Sequence, residues 1–162
     1  MRFASIACVL ASCAVHSTEG LDIPCATDDE CPTGDWCSVL YQTGTCTSAG
    51  SPPHIVMDGI AVGSSPFATT IKVPSHVQTT VRFGLRNDGG HQASIDLKTS
   101  SPTCLGIIEL FGHIDPLDPG KTFSDDLLID PAPGCASPAK LAFTATGNGR
   151  RFDFSFDVTI GP

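Results

Sequence analysis

Apolar and polar residues alternate with a period of two over long stretches of the chain after residue 55. In TTVRFGLRN, Val81, Phe83 and Leu85 alternate with mostly polar side chains, and ASIDLKT (residues 93–99) repeats the pattern. This period is typical of a β-strand with one buried face. The intervening NDGG supplies turn residues. The two segments are therefore predicted to form a β-hairpin with one apolar face.

The same alternation returns on both sides of the turn sequence GNG (residues 147–149). Its longest run is RFDFSFDVTI (residues 151–160), and Phe154 at the centre of the run is predicted to point inward between two sheets. Weaker strand patterns occur in HIVMDGIAV, ATTIKV, LGIIELFG and FSDDLLID. Roughly seven to nine short strands are typical of an all-β sandwich made of two sheets.

Composition agrees with strands and narrows the choice of partners. The chain has 9 Phe, 16 Gly and 13 Pro, and it contains no long stretch of the residues that favour helices. Its formal net charge is −8, and its 9 Lys and Arg residues are scattered. Affinity for nucleic acids comes mainly from clustered basic side chains, so a nucleic acid is not expected as a partner.

The first 17 residues are predicted to be a signal peptide, because Arg2 precedes the apolar run FASIACVLA, which is too short to span a bilayer. Two processing routes are open. LASC, ending at Cys13, resembles the lipobox of bacterial lipoproteins, whereas VHS, ending at Ser17, suits ordinary signal peptidase. Both routes export the chain, as an outer-membrane or cell-surface lipoprotein or as a secreted protein. Membrane contact is expected only through a lipid on Cys13.

Export determines how the cysteines are used. Of the 8 cysteines, Cys8 leaves with the signal peptide, and Cys13 is either lipidated or removed. An even set remains, as disulfide pairing in an oxidising compartment requires: Cys25, Cys31, Cys37, Cys46, Cys104 and Cys135. The last two cysteines are predicted to form a bridge with each other.

The first four of these cysteines follow the spacing C-x5-C-x5-C-x8-C, in a segment (residues 22–48) with too little aliphatic content to build a core. The spacing lacks the C-x-x-C pairs of zinc and redox sites, and no His lies among the cysteines. The adjacent acids Asp28, Asp29 and Glu30 lack the alternating ligand spacing of a calcium loop. A microdomain held by disulfides is therefore predicted, with no metal and no cofactor.

This microdomain resembles a known type of module. PCATDDECPTGDWCSVLYQTGTC is similar to the EGF-like or Dickkopf-like modules found in secreted and lipoprotein-type proteins of bacteria. Four cysteines allow three connectivities. The resemblance implies pairing of Cys25 with Cys37 and of Cys31 with Cys46.

The order of motifs in residues 77–161 resembles the immunoglobulin-like accessory domains of the CARDB or NEW3 type. The motifs are a strand ending NDG, a strand ending SSP, a GHI…PG segment, a cysteine before the penultimate hairpin, and a final FDVTIG. The resemblance implies a noncatalytic immunoglobulin-like β-sandwich, placed at residues 55–162 after a linker at residues 49–54. IDPLDPG (residues 114–120) is longer than the usual turn and is predicted to protrude as a loop.

The chain shows no G-x-S-x-G elbow, and its 5 histidines form no H-x-H or H-E-x-x-H pattern. With every remaining thiol assigned to a disulfide, the chain is predicted not to be an enzyme. Contact with a partner is instead predicted for side chains in the microdomain and in the long loop: Asp35, Trp36, His113, Asp115 and Asp118.

Two functions are consistent with these features. The first is a noncatalytic accessory or adhesion module on an exported, lipid-anchored protein, which binds a protein or a carbohydrate at the cell surface. The alternative is a secreted inhibitor or ligand that acts through the cysteine-rich module, with Trp36 as its anchor in the partner. The exposure of Trp36 separates the two.

Overall fold

The structure is a computed structural model, and it describes residues 23–40, 43–108 and 112–162. The predicted signal peptide and Cys13 lie outside these residues. Within the three described ranges, no helix is long and apolar enough to cross a membrane.

The N-terminal module is a small antiparallel sheet with strand order β1-β3-β2. Its elements are β1 (Pro24–Cys25), a 3-10 turn (Asp28–Glu30), β2 (Trp36–Leu40) and β3 (Thr43–Thr47). Disulfides join Cys25 to Cys37 and Cys31 to Cys46, which is the pairing that the resemblance implies. These two cross-links hold a segment that is too small to bury a core of its own.

The rest of the described chain forms two sheets packed face to face. The strands are β4 (Ile55–Val62), β5 (Thr70–Pro74), β6 (Thr79–Asn87), β7 (Ala93–Ser100), β8 (Ile107–Ile108), β9 (His113–Leu117), β10 (Thr122–Ile129), β11 (Ala139–Gly147) and β12 (Arg150–Gly161). The sheet orders are β4-β6-β10-β8 and β5-β12-β11-β7-β9. The first sheet, with β7, β11 and β12 of the second, has the A-B-E-D and C-F-G arrangement of an immunoglobulin-like sandwich. The predicted all-β fold class is confirmed.

The core lies between the two sheets. Its largest buried side chains are Phe83 on β6 and Phe143 on β11, whose ring centroids are 5.4 Å apart across the sandwich. Phe156 on β12 packs against Phe143 at 5.8 Å in an edge-to-face arrangement. Aromatic contacts of this kind add to the free energy gained by burying the rings.

The apolar stripe of β12 is buried only in part. Phe156 and Val158 are buried, whereas Phe154, predicted to lie between the sheets, packs against the core but is only partly buried. β12 has 12 residues, and β4, which it contacts across the sandwich, has 8. Because β12 is longer than β4, part of β12 extends beyond the opposite sheet, and the apolar side chains at the ends of β12 stay partly exposed.

The predicted hairpin of β6 with β7 is wrong. β6 pairs with β4 and β10, and β7 pairs with β11 and β9 in the other sheet. The residues between the two strands cross from one sheet to the other. Alternation predicts which face of each strand is buried, but it does not say which strand lies next to it. Two strands with apolar faces show the same pattern whether they are neighbours in one sheet or face each other from two sheets across a core.

The side chain of Asn87 holds this crossover together. It is fully buried, and its Oδ1 accepts hydrogen bonds from the backbone N–H of His54 (3.3 Å) and of Gly89 (3.1 Å). Its Nδ2 donates to the carbonyls of His91 (2.7 Å) and Leu117 (3.0 Å). One amide therefore ties together the start of β4, the crossover and the end of β9.

The structure adds detail at two segments that the sequence analysis assigned to a loop and to a linker. IDPLDPG does not simply protrude, because its first residues belong to β9, which pairs with β7. The expected linker at residues 49–54 is packed on the crossover, where the N–H groups of Asp88 and Gly90 donate to the carbonyls of His54 and Pro52. Pro and Gly indicate an irregular backbone, but they do not show whether that backbone packs against the rest of the protein.

The β11–β12 hairpin forms as predicted. Its two turn residues, Asn148 and Gly149, have positive φ angles of 51° and 74°. This conformation matches a type I′ turn, whose twist agrees with that of the strands and whose positive φ angles favour Asn-Gly.

The third disulfide, Cys104–Cys135, joins the 3-10 turn after β7 to the loop before β11.

Candidate binding site around His113

The module packs against the end of the sandwich that holds the β11–β12 turn and the β6–β7 crossover. The Asp28 carboxylate pairs with the Arg150 guanidinium, and its other oxygen accepts a hydrogen bond from the Cys37 N–H at 2.9 Å. The Trp36 ring contacts the His91 ring with centroids 4.7 Å apart. An ion pair and a ring contact therefore fix the module to the sandwich.

Trp36 is not available to a partner. Only 5% of its surface is exposed, because its ring lies against His91 of the crossover. The prediction that Trp36 anchors a partner is therefore wrong. Trp36 is buried because the module packs against the sandwich at this point. Asp35, at the end of a turn in which its N–H donates to the Pro32 carbonyl at 2.9 Å, is half-buried.

Substitution of Gly149 tests this packing. A Cβ at Gly149 would lie 2.5 Å from the Ala26 carbonyl oxygen of the module, so Gly149→Ala is expected to push the module away. Trp36 is the only tryptophan, and its fluorescence should shift to longer wavelength and become accessible to iodide. Gly120→Ala is the matched control, because Gly120 also has a positive φ (71°) but no atom lies within 4 Å of the position that its Cβ would take. Unchanged emission in Gly149→Ala would contradict the packing.

A second buried asparagine positions the first strand of the site. Asn148, only 5% exposed, accepts a hydrogen bond from the Ser94 N–H at 3.2 Å and donates one to the Gln92 carbonyl at 3.1 Å. The β11–β12 turn thereby fixes the beginning of β7. Ser94 and Asp96 then lie two residues apart on the outer face of β7.

β9 is an edge strand that places His113 directly opposite Asp96. The imidazole Nδ1 of His113 lies 2.8 Å from Asp96 Oδ1, and its Nε2 lies 3.3 Å from Ser94 Oγ. The side chains of His113 and Asp96 are 55% and 66% exposed. A serine hydroxyl, an imidazole and a carboxylate are thus in hydrogen-bond contact at the protein surface.

Two grooves meet at His113. The first, of about 440 Å³, lies between the module and the sandwich, and its lining comprises Val39, Ser94, Asp96, His113, Thr146, Gly147, Asn148 and Gly149. The second, of about 580 Å³, runs along β9 and the following loop, and its lining comprises His113, Ile114, Pro116, Leu117, Asp118, Lys121, Thr122 and Phe123. Both combine polar groups with apolar surface, as ligand sites commonly do.

The structure brings two of the predicted contact residues together. His113 and Asp118 line the second groove, where Asp118 accepts a hydrogen bond from Gln92 Nε2 at 2.8 Å. Asp115 lies between them on β9. Ser94 and Asp96 were not predicted. Their alternation on one strand face was visible in the sequence, but the pairing of that face with His113 was not.

A second histidine–carboxylate contact stabilises the crossover beside the site. The hydrogen bond from His54, at 2.7 Å, lowers the pKa of the Asp88 carboxyl, and the positive charges of His54 and Arg86 act in the same direction. A carboxyl with a lowered pKa stabilises the fold above its ordinary pKa, and this contribution is lost as the pH falls through the folded value.

The cysteine-rich module also brings possible metal ligands close together. The sulfur atoms of Cys25, Cys31 and Cys37 lie within 4.8 Å of one another. All three are in disulfides. Metal binding by cysteine requires the thiolate, so this cluster is a structural one as long as the disulfides are intact.

Comparison with known proteins gives no family. No protein-family model matches the chain, and no curated protein matches it. The FixG-related protein from Vibrio parahaemolyticus is similar in structure, with a TM-score of 0.46, 10% sequence identity, and coverage of 67% of this chain and 97% of that one. A β-glucosidase involved in saponin metabolism from intestinal bacteria aligns with a TM-score of 0.27 and 13% identity, over 79% of this chain and 19% of that one. Neither match assigns a function to this chain.

Proposed function

We propose that this protein is an exported binding module whose ligand contacts the two grooves that meet at His113. The observation that carries the proposal is the position of His113: one exposed side chain on an edge strand lines both grooves. β9 is an addition to the A-B-E-D and C-F-G strands of the sandwich. Function on such folds commonly resides in sites added to a shared framework.

The disulfides support a location outside the cytoplasm. Three of them join all six described cysteines, and disulfides persist in oxidising compartments. Attachment to the cell surface through a lipid on Cys13 is part of the proposal. In that arrangement the sandwich presents the His113 grooves to molecules outside the cell.

The chemistry of the grooves favours a ligand with both hydroxyl and apolar surface, as in a carbohydrate or a polar protein loop. The first groove offers the hydroxyls of Ser94 and Thr146 and the Asp96 carboxylate, with Val39 as an apolar wall. The second offers Asp118 and Lys121 beside Leu117. Directional hydrogen bonds next to apolar contacts give such a site both affinity and orientation.

The alternative role, a secreted inhibitor acting through the cysteine-rich module, lacks its proposed anchor. Trp36 is buried, and the module uses Asp28 and Val39 in its contacts with the β11–β12 turn. The module therefore forms one wall of the first groove, and we assign it a role in shaping the site.

Binding to arrays of immobilised glycans and extracellular proteins tests this function. The wild-type protein is expected to bind at least one arrayed ligand, and His113→Asn is expected to weaken that binding by about tenfold or more, equivalent to about 1.4 kcal/mol. His76→Asn is the matched control, since His76 has a positive φ that Asn tolerates and lies on the loop between β5 and β6. Equal binding by the two variants would overturn the site, and absence of binding to every arrayed molecule would overturn the function.

A further inference from the structure

The side chains of Ser94, His113 and Asp96 contact one another through the same atoms as the residues of a serine–histidine–aspartate triad. Asp96 contacts Nδ1 of His113 at 2.8 Å, and Ser94 Oγ contacts Nε2 at 3.3 Å. In such a triad the carboxylate orients the ring through one nitrogen, while the other nitrogen takes the proton of the serine hydroxyl. The contact between a nucleophile and its base is often looser without substrate, and both distances fit that arrangement.

We propose that Ser94 is a nucleophile activated by His113, which reacts with activated acyl esters that enter the first groove. Asp96 acts as a positioning residue for the imidazole. This reactivity goes beyond binding and does not depend on the identity of the bound ligand. The prediction that the chain is not an enzyme relied on local motifs such as G-x-S-x-G, and a triad assembled from two strands needs no such motif.

The backbone fixes the relative positions of the three groups. Asp96 and His113 are register partners of β7 and β9, and Ser94 is two residues before Asp96 on the same face. The N–H of Ser94 donates to the buried Asn148 side chain at 3.2 Å. The pairing of β7 with β9 is irregular between Ala93 and Ile95, at the position of Ser94. The buried Asn148 amide holds the Ser94 backbone at this irregularity, which favours a defined position for the nucleophile.

The first groove supplies room for the substrate. Ser94 lies in its lining together with Gly147 and Gly149. A Cβ at Gly147 would lie 2.8 Å from the Ser94 carbonyl oxygen, so the absence of a side chain there lets β11 approach Ser94 closely. Val39 provides an apolar surface for an acyl chain. A volume of about 440 Å³ accommodates a small ester, since small-molecule sites commonly measure about 300–1,000 Å³.

The reaction balances without a cofactor. Ser94 Oγ attacks the ester carbonyl carbon and forms a C–O bond, while its proton passes to His113 Nε2. The C–O bond to the alcohol breaks, and the departing oxygen takes the proton from His113. Water, activated by the same nitrogen, then cleaves the acyl-serine to release the acid and restore the hydroxyl.

The exposure of the site limits the substrate class. Asp96 and His113 are both more than half exposed, so their interaction takes place in a medium of high dielectric and is weaker than in a buried triad. Activation of Ser94 is correspondingly modest. Esters with good leaving groups are therefore the expected substrates, and amides are not.

Labelling of the full chain with a biotinylated fluorophosphonate tests the nucleophile. Ser94 Oγ should bond to phosphorus with loss of fluoride, and peptide mass spectrometry should locate the label on Ser94. Ser94→Ala should abolish labelling, and His113→Asn should slow it by about 100-fold, as expected for loss of a general base. Ser155→Ala and His54→Asn are the matched controls, because Ser155 is an exposed strand serine and His54 belongs to another histidine–aspartate pair. Both should be labelled at the wild-type rate.

Release of p-nitrophenol from p-nitrophenyl acetate gives a second measurement. Ser94→Ala should reduce the rate to the background of exposed imidazoles such as His54 and His113. Asp96→Asn should lower the wild-type rate, and Asp96→Glu should restore part of it. An absence of label on wild-type Ser94, or equal reaction rates in Ser94→Ala and the wild type, would overturn the proposal. Binding on the array is measured separately, so a failure of the nucleophile leaves the result for the proposed binding function distinct.

Discussion

Replacing Phe143 by alanine is expected to lower the free energy of unfolding by about 3–5 kcal/mol. The Phe143 side chain is buried between the sheets and contacts Phe83 of the opposite sheet and Phe156 of its neighbouring strand. Its removal would leave a cavity that a close-packed interior cannot fill by small shifts. Denaturation with urea, with fluorescence and circular dichroism as probes, measures the change.

Phe154→Ala is the matched control for this prediction. Phe154 is the register partner of Phe143 in the β11–β12 hairpin, but its side chain is only partly buried. A clearly smaller loss of stability is expected there, because less apolar surface returns to water and no closed cavity forms. Equal losses at Phe143 and Phe154 would contradict the assignment of the core to the space between the sheets.

Asn87→Ala is expected to cost about 3 kcal/mol or more, although it removes no large apolar group. The Asn87 amide makes four hydrogen bonds, and alanine would leave the carbonyls of His91 and Leu117 without this donor. Each polar group that is buried without a partner costs about 1–3 kcal/mol. Chemical denaturation measures the loss of stability.

Thr79→Ala, at the other end of β6, separates the effect of the network from that of burial. Thr79 is also buried, and its hydroxyl donates one hydrogen bond, to the Val77 carbonyl at 3.0 Å. A cost of about 1 kcal/mol is expected for it. If Asn87→Ala were no more destabilising than Thr79→Ala, the crossover would not depend on the Asn87 amide.

Local signals in the sequence predicted the parts of the fold that are themselves local. The β11–β12 hairpin was predictable because its alternation and its Asn148–Gly149 turn lie within one continuous segment. The pairing of β7 was not predictable, because its neighbours β9 and β11 do not follow it directly in the sequence. Alternation does not specify which strands pair. β9 was missed for another reason: Pro116 lies within it, and proline argues against a central strand but is compatible with an edge strand.

The candidate site was predictable only in part. His113 and Asp118 were noticed because polar groups cluster in their segment, whereas Ser94 and Asp96 join the site only through the register of β7 with β9. The burial of Trp36, which the sequence left open, was not predictable for the same reason. The residue that covers it, His91, belongs to the crossover, and nothing near Trp36 in the sequence indicates that contact.

The strand pairings also have a consequence for the order of folding. β11 and β12 are joined by a two-residue turn and pair along nine positions, so little chain entropy is lost when their ends meet. The parallel pairing of residues 70–74 with residues 157–161 closes a far longer loop. Pairings between distant segments slow folding, because the entropy of closure is lost before the contacts form.

We therefore expect the hairpin to be structured in the folding transition state and the β5–β12 pairing to form late. The hairpin, which folds most readily, is then synthesised after β5 and β7, the strands that it pairs with in the larger sheet. Until residues 139–161 have been made, the preceding strands lack the partners that complete the larger sheet. We therefore expect the nascent chain to complete its larger sheet only after residues 139–161 have been made, which is compatible with the proposed export of the protein.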